Sequence, residues 1–168
     1  MKSAVILLIS VALVACNRHN SSPRNVAEVG SEISQLIQHR RFEEAAQLGL
    51  HSLGNRPQDA TIYYLLALAY VERARYEADA RESSLKLVDE YSRQSLSRDP
   101  DNQLIRFNIA LVLESAGDIE SSSQCRYYAE SKELLVQASN KASVNTLKHD
   151  VNVSSSRVTQ KIKDASCN

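Results

Sequence analysis

Apolar residues recur at helical spacing along most of this chain, and this periodicity limits the fold more than any other feature. The segment from Ile62 to Val71 is apolar throughout, whereas the neighbouring segments carry a single apolar stripe. Such stripes have the 3.6-residue period of an α-helix, and no segment keeps the period of two that marks a half-buried strand. Only four glycines and three prolines interrupt the pattern. The chain is therefore predicted to be all-α.

Turn and capping residues divide the helical pattern into pairs. The first helix is predicted to begin after Asn25, whose side chain can cap it while Glu28 reaches back to the cap. The second is predicted to end at Gly54-Asn55, because these residue types readily take the left-handed conformation that closes helices. Pro100 follows the fourth helix, and the sixth is predicted to begin at an Asp118 cap.

These pairs resemble tetratricopeptide repeats, a family of 34-residue helix-turn-helix units. The matching residues are Leu36, Phe42, Ala45, Leu53 and Pro57 in the first unit; Tyr63, Leu66, Ala67, Tyr70, Val88, Leu96 and Pro100 in the second; and Ile109, Ala110, Leu113, Gly117 and Ile119 in the third. The resemblance implies a right-handed superhelical layer of about three hairpins over residues 26–138, with a polar tail over residues 139–168. The second unit is longer than the family pattern, and the surplus is predicted around residues 73–84.

The resemblance also implies a concave groove lined by the first helix of each hairpin. The residues at groove positions are Ser34, Ile37, Tyr64, Leu68, Val71, Glu72, Phe107, Leu111 and Glu114. Together they would form an apolar strip edged by two carboxylates, suited to a helix or an extended peptide of a periplasmic or outer-membrane partner. An aromatic and aliphatic stripe at helical spacing is more often part of the core than a binding site, so internal packing stays open as the alternative.

The N-terminal segment has the composition of an export signal. Lys2 precedes a short apolar run from Ala4 to Val14, which is well below the roughly 20 residues that span a bilayer. Residues 1–15 are therefore predicted to be a signal peptide. The run ends at Cys16, and the polar residues 16–25 behind it are predicted to be a flexible linker.

The residues Leu13-Val14-Ala15-Cys16 resemble the lipobox of bacterial lipoproteins. The resemblance implies a diacylglyceryl group on the Cys16 sulfur, cleavage before Cys16 and a further acyl chain, such as palmitate, on the new N-terminus. Two or more acyl chains hold a protein stably on a membrane. Asn17 follows the cysteine, which by resemblance implies the periplasmic face of the outer membrane.

Charge and motif content narrow the classes of function. Residues 26–139 carry 12 Lys and Arg against 18 Asp and Glu, a net charge of −6, whereas a nucleic-acid binder needs a basic face. The four histidines do not occur at metal-ligand spacing, and no G-x-S-x-G, phosphate loop or C-x-x-C is present. We therefore expect no enzymatic activity, no metal, no small-molecule substrate and no cofactor beyond the lipid on Cys16.

Two cysteines remain once Cys16 is lipidated. Cys125 and Cys167 form an even pair in an oxidising compartment, so they either join in a disulfide or stay as two free thiols. The tail has apolar residues at roughly helical spacing, namely Val144, Leu147, Val151, Val158 and Ile162. This tail would cap the last hairpin, lie in the groove or remain disordered.

The sequence thus predicts a lipoprotein adaptor that holds a protein partner during assembly of an envelope machine, such as a pilus, a secretion system or a cell-wall complex. The alternative is a structural membrane tether or a self-associating scaffold, which would have no peptide ligand. Crosslinking in cells from Leu68 and Leu111 separates these two hypotheses, because an adaptor should trap one dominant foreign protein and a tether or scaffold only itself or nothing.

Overall fold

The computed structural model describes residues 25–141 and 145–167. These residues form seven α-helices and no strand, which confirms the prediction of an all-α chain. The predicted signal peptide, the lipidated Cys16, the linker as far as residue 24 and Val144 lie outside the described residues. Among the helices of the described residues, none is both long enough and apolar enough to cross a membrane.

The helices follow one another with short connections. They are α1 Val26–Gln38, α2 Phe42–Asn55, α3 Ala60–Tyr76, α4 Arg81–Arg98, α5 Gln103–Ile119, α6 Gln124–Lys141 and α7 Asn145–Asp164. Connections this short fold consecutive helices back on each other as hairpins.

Side-chain caps begin three of these helices. The Asn25 side chain accepts a hydrogen bond from the Ala27 N–H at 2.9 Å, and the Asn25 N–H donates to Glu28 at 3.3 Å. The predicted capping box is therefore confirmed. Asp59 and Asn102 begin α3 and α5 by accepting from two backbone N–H groups each, which satisfies donors that have no partner inside the helix.

The predicted end of the second helix at Gly54-Asn55 is confirmed, since α2 ends at Asn55, but neither residue takes the predicted positive φ. The predicted start of the sixth helix is wrong. Asp118 lies in the last turn of α5, and α6 begins only at Gln124. The reason is that an N-cap residue needs a non-helical backbone, whereas Asp118 continues α5; its carboxylate instead accepts hydrogen bonds from Tyr128 and Lys161.

The hairpins α1–α2, α3–α4 and α5–α6 pack side by side. The odd-numbered helices α1, α3 and α5 contact one another in order, and α2 and α4 each pack on the first helix of the next hairpin. One core, which includes Ile33, Leu66 and Ile109, extends from α1 to α6. A second core joins α5 and α6 to α7, so α7 extends the same packing order beyond the last hairpin.

The second and third hairpins match each other in length. Helices α3 and α5 have 17 residues each, and α4 and α6 have 18 each. Every boundary recurs at the same offset, since α3 begins at 60 and α5 at 103, and α4 begins at 81 and α6 at 124. The surplus predicted around residues 73–84 is therefore taken up by longer helices in both hairpins, and the α3–α4 turn is short.

The polar tail is more ordered than the prediction of a weakly helical or disordered segment. Helix α6 continues past the predicted boundary at residue 138 to Lys141, and residues 145–164 form α7. Val151 and Val158 of α7 are buried, and Leu147 and Ile162 pack beside them. This apolar stripe explains why an otherwise polar segment folds as a helix, because it is buried against α6 and α5.

Candidate functional site

The predicted groove residues lie on α1, α3 and α5, which pack on one another in that order. Tyr64 and Leu68 of α3 are one turn apart, so they share a face of the helix. Phe107 and Leu111 of α5 occupy the matching positions of the next hairpin. All four side chains are partly exposed. We call these four residues the α3–α5 strip.

The strip carries no charge of its own. Tyr64 is the only titratable member, and burial raises the pKa of its phenol above the usual value of 10.0, so the ring stays neutral at physiological pH. At the end of α3, Glu72 forms an ion pair with Arg75 at 3.2 Å. The negative charge expected beside the strip is therefore largely compensated within α3.

Two of the predicted groove residues, Val71 and Glu114, are buried. Val71 is 0% exposed and belongs to the main core. It follows Leu68 by three residues, which turns its side chain about 60° away from the strip and toward Ala67 and Ala74. Its prediction as a groove residue is therefore wrong. Ile37 of α1 is partly exposed and packs against the same core, as Tyr64 and Leu68 also do.

Glu114 is also buried, at 4% exposure, rather than lying open at the edge of the groove. Arg157 of α7 donates to both carboxylate oxygens at 2.6 Å, and Lys161 lies 2.9 Å from one of them. Burial raises the pKa of Glu114, but hydrogen bonds from these two cations outweigh burial, so that its pKa lies below 4.5. A carboxylate predicted to meet a partner is therefore paired within the chain.

The same network continues to the end of α5. Lys161 donates to both oxygens of Asp118 at 2.7 Å, and the Tyr128 hydroxyl donates to Asp118 at 2.8 Å. Burial and this hydrogen bond raise the pKa of Tyr128 to about 12. A Cβ atom on Gly117 would lie 2.6 Å from the Tyr128 ring, so α6 can approach α5 this closely only because residue 117 is glycine.

A disulfide joins α6 and α7 near the same end, where α6 begins and α7 ends. Cys125 at the start of α6 is bonded to Cys167 beyond α7, with a sequence separation of 42. Of the alternatives left open by the sequence, the structure thus has the bridge rather than two free thiols. The last helix is held by apolar packing, ion pairs and a covalent link at the same time.

Sequence reasoning missed the part that Arg157 and Lys161 play. They are four residues apart on α7, and Val158 lies between them in the buried stripe. One signal was present, because Glu114 occupies the position in α5 that the buried Val71 occupies in α3. An acidic residue in an apolar register predicts a buried ion pair, since an unpaired buried charge is too costly.

The described part of the site offers apolar surface together with charges that are paired within the chain. Within residues 25–141 and 145–167, no group of three or more His, Cys, Asp or Glu side chains is placed to hold a metal ion. What the geometry offers is an uncharged strip across two packed helices. Comparison with protein-family models, with curated proteins and with solved structures finds no match to this chain.

Proposed function

We propose that this chain is a non-enzymatic lipoprotein that acts as a protein–protein interaction adaptor. A lipid on Cys16 holds it at the periplasmic face of the outer membrane, and its hairpins hold a partner protein during assembly of an envelope machine. A pilus, a secretion system and a cell-wall complex are the machines that suit such an adaptor. The α3–α5 strip is the observation that carries the proposal.

The strip supports partner binding because it leaves four large apolar side chains partly exposed on two adjacent helices. Contiguous exposed apolar surface on a soluble domain commonly marks an interaction site. A partner helix would lay its own apolar face along Tyr64 and Leu68 and continue over Phe107 and Leu111. Specificity would come from polar groups beside the strip, since the strip itself is uncharged.

The matched lengths of the second and third hairpins support a repeat array. In this proposal the three hairpins are tetratricopeptide-like units that form a right-handed superhelical layer, and α7 caps the last unit. Each unit depends on its neighbours for burial of its apolar face, as in other stacked repeats. The successive contacts of α1, α3 and α5 are the packing that such a layer requires.

The proposed anchor and the linker set how far the array stands from the membrane. Two or more acyl chains on Cys16 hold a protein stably on a bilayer. Residues 17–24, fully extended, reach about 30 Å at most. The array is therefore expected to stay close to the outer membrane while remaining free to turn toward its partner.

Site-specific photo-crosslinking in cells tests the adaptor function. A photoreactive amino acid is placed at Leu68 or Leu111, and the matched control is Leu50, which is 44% exposed on α2. We expect one dominant foreign protein to be trapped from both strip positions and not from Leu50. Crosslinks to a second copy of this chain alone, or none, would favour the structural tether or self-associating scaffold and would exclude the adaptor.

Fractionation of a Cys16→Ser variant tests the anchor separately. The wild-type chain is expected in the outer-membrane fraction with acyl chains detected by mass spectrometry, and the variant is expected to lose both properties. A wild-type chain recovered without acyl chains would exclude the lipoprotein proposal while leaving the crosslinking result unaffected.

A further inference from the structure

Helix α7 buries few side chains for its length. Among residues 146–164, only Val151, Ser154 and Val158 are buried, whereas α3 buries nine of its 17 residues. Within the described residues, α7 packs on α5 and α6 alone, because it lies at the end of the stack. Elements with few buried apolar contacts open more readily than the rest of a fold. Helix α7 is therefore expected to undock before the hairpins unfold.

The disulfide opposes this undocking, because it fixes the second end of α7. The first end is joined to α6 through residues 142–144. Cys167 lies three residues beyond α7 and is bonded to Cys125 in the first turn of α6. The Cys167 N–H also donates to the Ile162 carbonyl at 3.1 Å. Both ends of α7 are thus tied to α6, and closing this loop should favour the docked helix by on the order of 100-fold.

The bond between the two cysteines is open to a reductant. Cys125 is exposed, and Cys167 is partly exposed. Exchange between a thiolate and a disulfide requires access to one of the two sulfur atoms, and exposed disulfides are the more labile ones. The covalent link that holds α7 is therefore within reach of a thiolate of another protein.

Helix α7 covers a surface of α5 and α6 that is apolar and negatively charged. Glu114 and Asp118, one turn apart on α5, are paired with Arg157 and Lys161 of α7. Beside them, the two buried valines of α7 share the second core with four side chains of α5 and α6, namely Ala110, Tyr128, Leu135 and Ala138. Undocking of α7 would uncover this apolar surface and would leave both carboxylates without their cations. Contiguous apolar surface of this kind marks an interaction site.

The sequence of α7 shows which kind of helix this surface accepts. Arg157 donates to both oxygens of Glu114 at 2.6 Å, and Lys161 donates to both oxygens of Asp118 at 2.7 Å. These two basic residues are four positions apart, and the buried Val158 follows the first of them directly. An anionic surface favours a cationic partner. The matching partner is therefore a helix with two basic residues one turn apart beside an aliphatic stripe.

We propose that the Cys125–Cys167 disulfide is a redox latch over a second docking face, which a cationic amphipathic helix of a partner protein occupies once α7 is released. The reductant is a protein dithiol. One of its thiolates attacks a sulfur atom of the bond and forms a mixed disulfide, which its second thiol resolves. Two electrons and two protons thereby pass to Cys125 and Cys167, which become thiols, and the reductant leaves as a disulfide. This inference goes beyond the proposed adaptor function, because the face lies under α7 and is tested independently of the α3–α5 strip.

Hydrogen exchange followed by mass spectrometry tests the latch on the full wild-type chain in detergent. The oxidised chain is compared with the chain reduced by dithiothreitol. Reduction is expected to accelerate exchange of the α7 amides at least about 30-fold and to leave them at least about 30-fold less protected than the amides of α3. Unchanged exchange in α7, or equal protection of α7 and α3 after reduction, would overturn the latch.

A chain with Cys125→Ser and Cys167→Ser is the matched control for this experiment. Its α7 amides are expected to exchange like those of the reduced wild-type chain. Dithiothreitol should not change their exchange, because the variant lacks the bond that the reductant breaks. A response of the variant as large as that of the wild-type chain would overturn the assignment of the latch to this disulfide.

A labelled synthetic peptide of residues 145–164 tests the docking face, because it has the charge pattern expected of the partner helix. It is added to a full chain whose own α7 has Arg157→Glu and Lys161→Glu, so that this helix no longer competes for Glu114 and Asp118. Fluorescence anisotropy is expected to show at least about 10-fold tighter binding to the reduced chain than to the oxidised chain.

The control peptide has both basic residues replaced by Glu and is expected to bind at least about 10-fold more weakly, because like charges then meet. Equal binding of the two peptides, equal binding in the two redox states or no binding to the reduced chain would overturn the docking face. Circular dichroism verifies that the chain with the reversed charges keeps its helices. The exchange experiment needs no substitution in the wild-type chain, so it decides the latch even where this variant does not fold.

Discussion

The ion-pair network between α5 and α7 should make a measurable contribution to stability, and Glu114→Gln isolates it. The variant keeps the size of the side chain but removes the charge that accepts hydrogen bonds from Arg157 and Lys161. Breaking a buried ion pair costs about 3–5 kcal/mol when the remaining charge stays buried. Here Arg157 keeps 47% of its side-chain exposure and Lys161 28%, so water still solvates the two cations. We therefore expect a loss of about 2 kcal/mol.

Thermal and urea unfolding followed by circular dichroism measure this loss. For a chain of 168 residues, about 2 kcal/mol corresponds to a melting temperature lower by roughly 4–8 °C. Glu133→Gln is the control, since Glu133 is exposed and forms no ion pair with the described side chains; it should stay within about 0.5 kcal/mol of wild type. A Glu114→Gln chain as stable as this control would refute the reasoning that the network stabilises α7.

The same variant gives a pH prediction whose sign follows from the pKa of Glu114. Hydrogen bonds from Arg157 and Lys161 hold that pKa below 4.5 in the folded chain, in spite of burial. The stability contributed by Glu114 is therefore complete above the unfolded-state value and is lost as the pH falls through the folded-state value. The difference between wild type and Glu114→Gln should be largest near neutral pH and should close in acid.

Two further perturbations test the attachment of α6 and α7. Replacing Cys125 and Cys167 together by Ser should lower the free energy of unfolding by up to about 4 kcal/mol, because a closed loop of 42 residues no longer limits the unfolded chain; urea unfolding measures this, and an unchanged midpoint would contradict it. Gly117→Ala should destabilise by about 1–2 kcal/mol, since its Cβ would meet the Tyr128 ring. Gly54→Ala is its control: outside the adjoining residues and the backbone of α2 itself, no atom lies within 4 Å of the added Cβ, so the better helix propensity of alanine should stabilise by up to about 1 kcal/mol. Equal effects at the two glycines would argue against the close contact.

Local patterns were sufficient to predict the helices that carry a strong apolar stripe. The run from Ile62 to Val71 predicted α3, and the spacing of Asn25 and Glu28 predicted the start of α1. Both predictions rest on interactions within one helix or its first turn. The prediction of Val71 as a groove residue was wrong because it was carried over from the family pattern by spacing alone. Val71 follows Leu68 by three residues, which rotates its side chain about 60° around the helix, from the surface into the core.

Helix α7 was harder to predict because its partners are distant in sequence. Its segment is polar, with few apolar residues beyond Val151 and Val158, and a short stripe of this kind also suits a disordered tail. The ion pairs from Arg157 and Lys161 to Glu114 join residues separated by more than 40 positions. Periodicity within a single segment does not contain such contacts, so the tail could not be assigned to α5 and α6.

The attachment of α7 to α5 and α6 limits where further hairpins could be added to this fold. The outer face of α1 is polar, with Glu28, Ser31 and Gln35 along it, and α7 turns mainly polar side chains outward at the opposite end. In the part of the chain that the structure describes, both end helices therefore present mainly polar outer faces. Only α5 and α6 carry the Glu114, Asp118 and Cys125 side chains that fasten the terminal helix. A longer version of this chain would therefore have to insert new hairpins before α5. Hairpins inserted between α6 and α7 would separate α7 from the side chains of α5 and α6 that bind it.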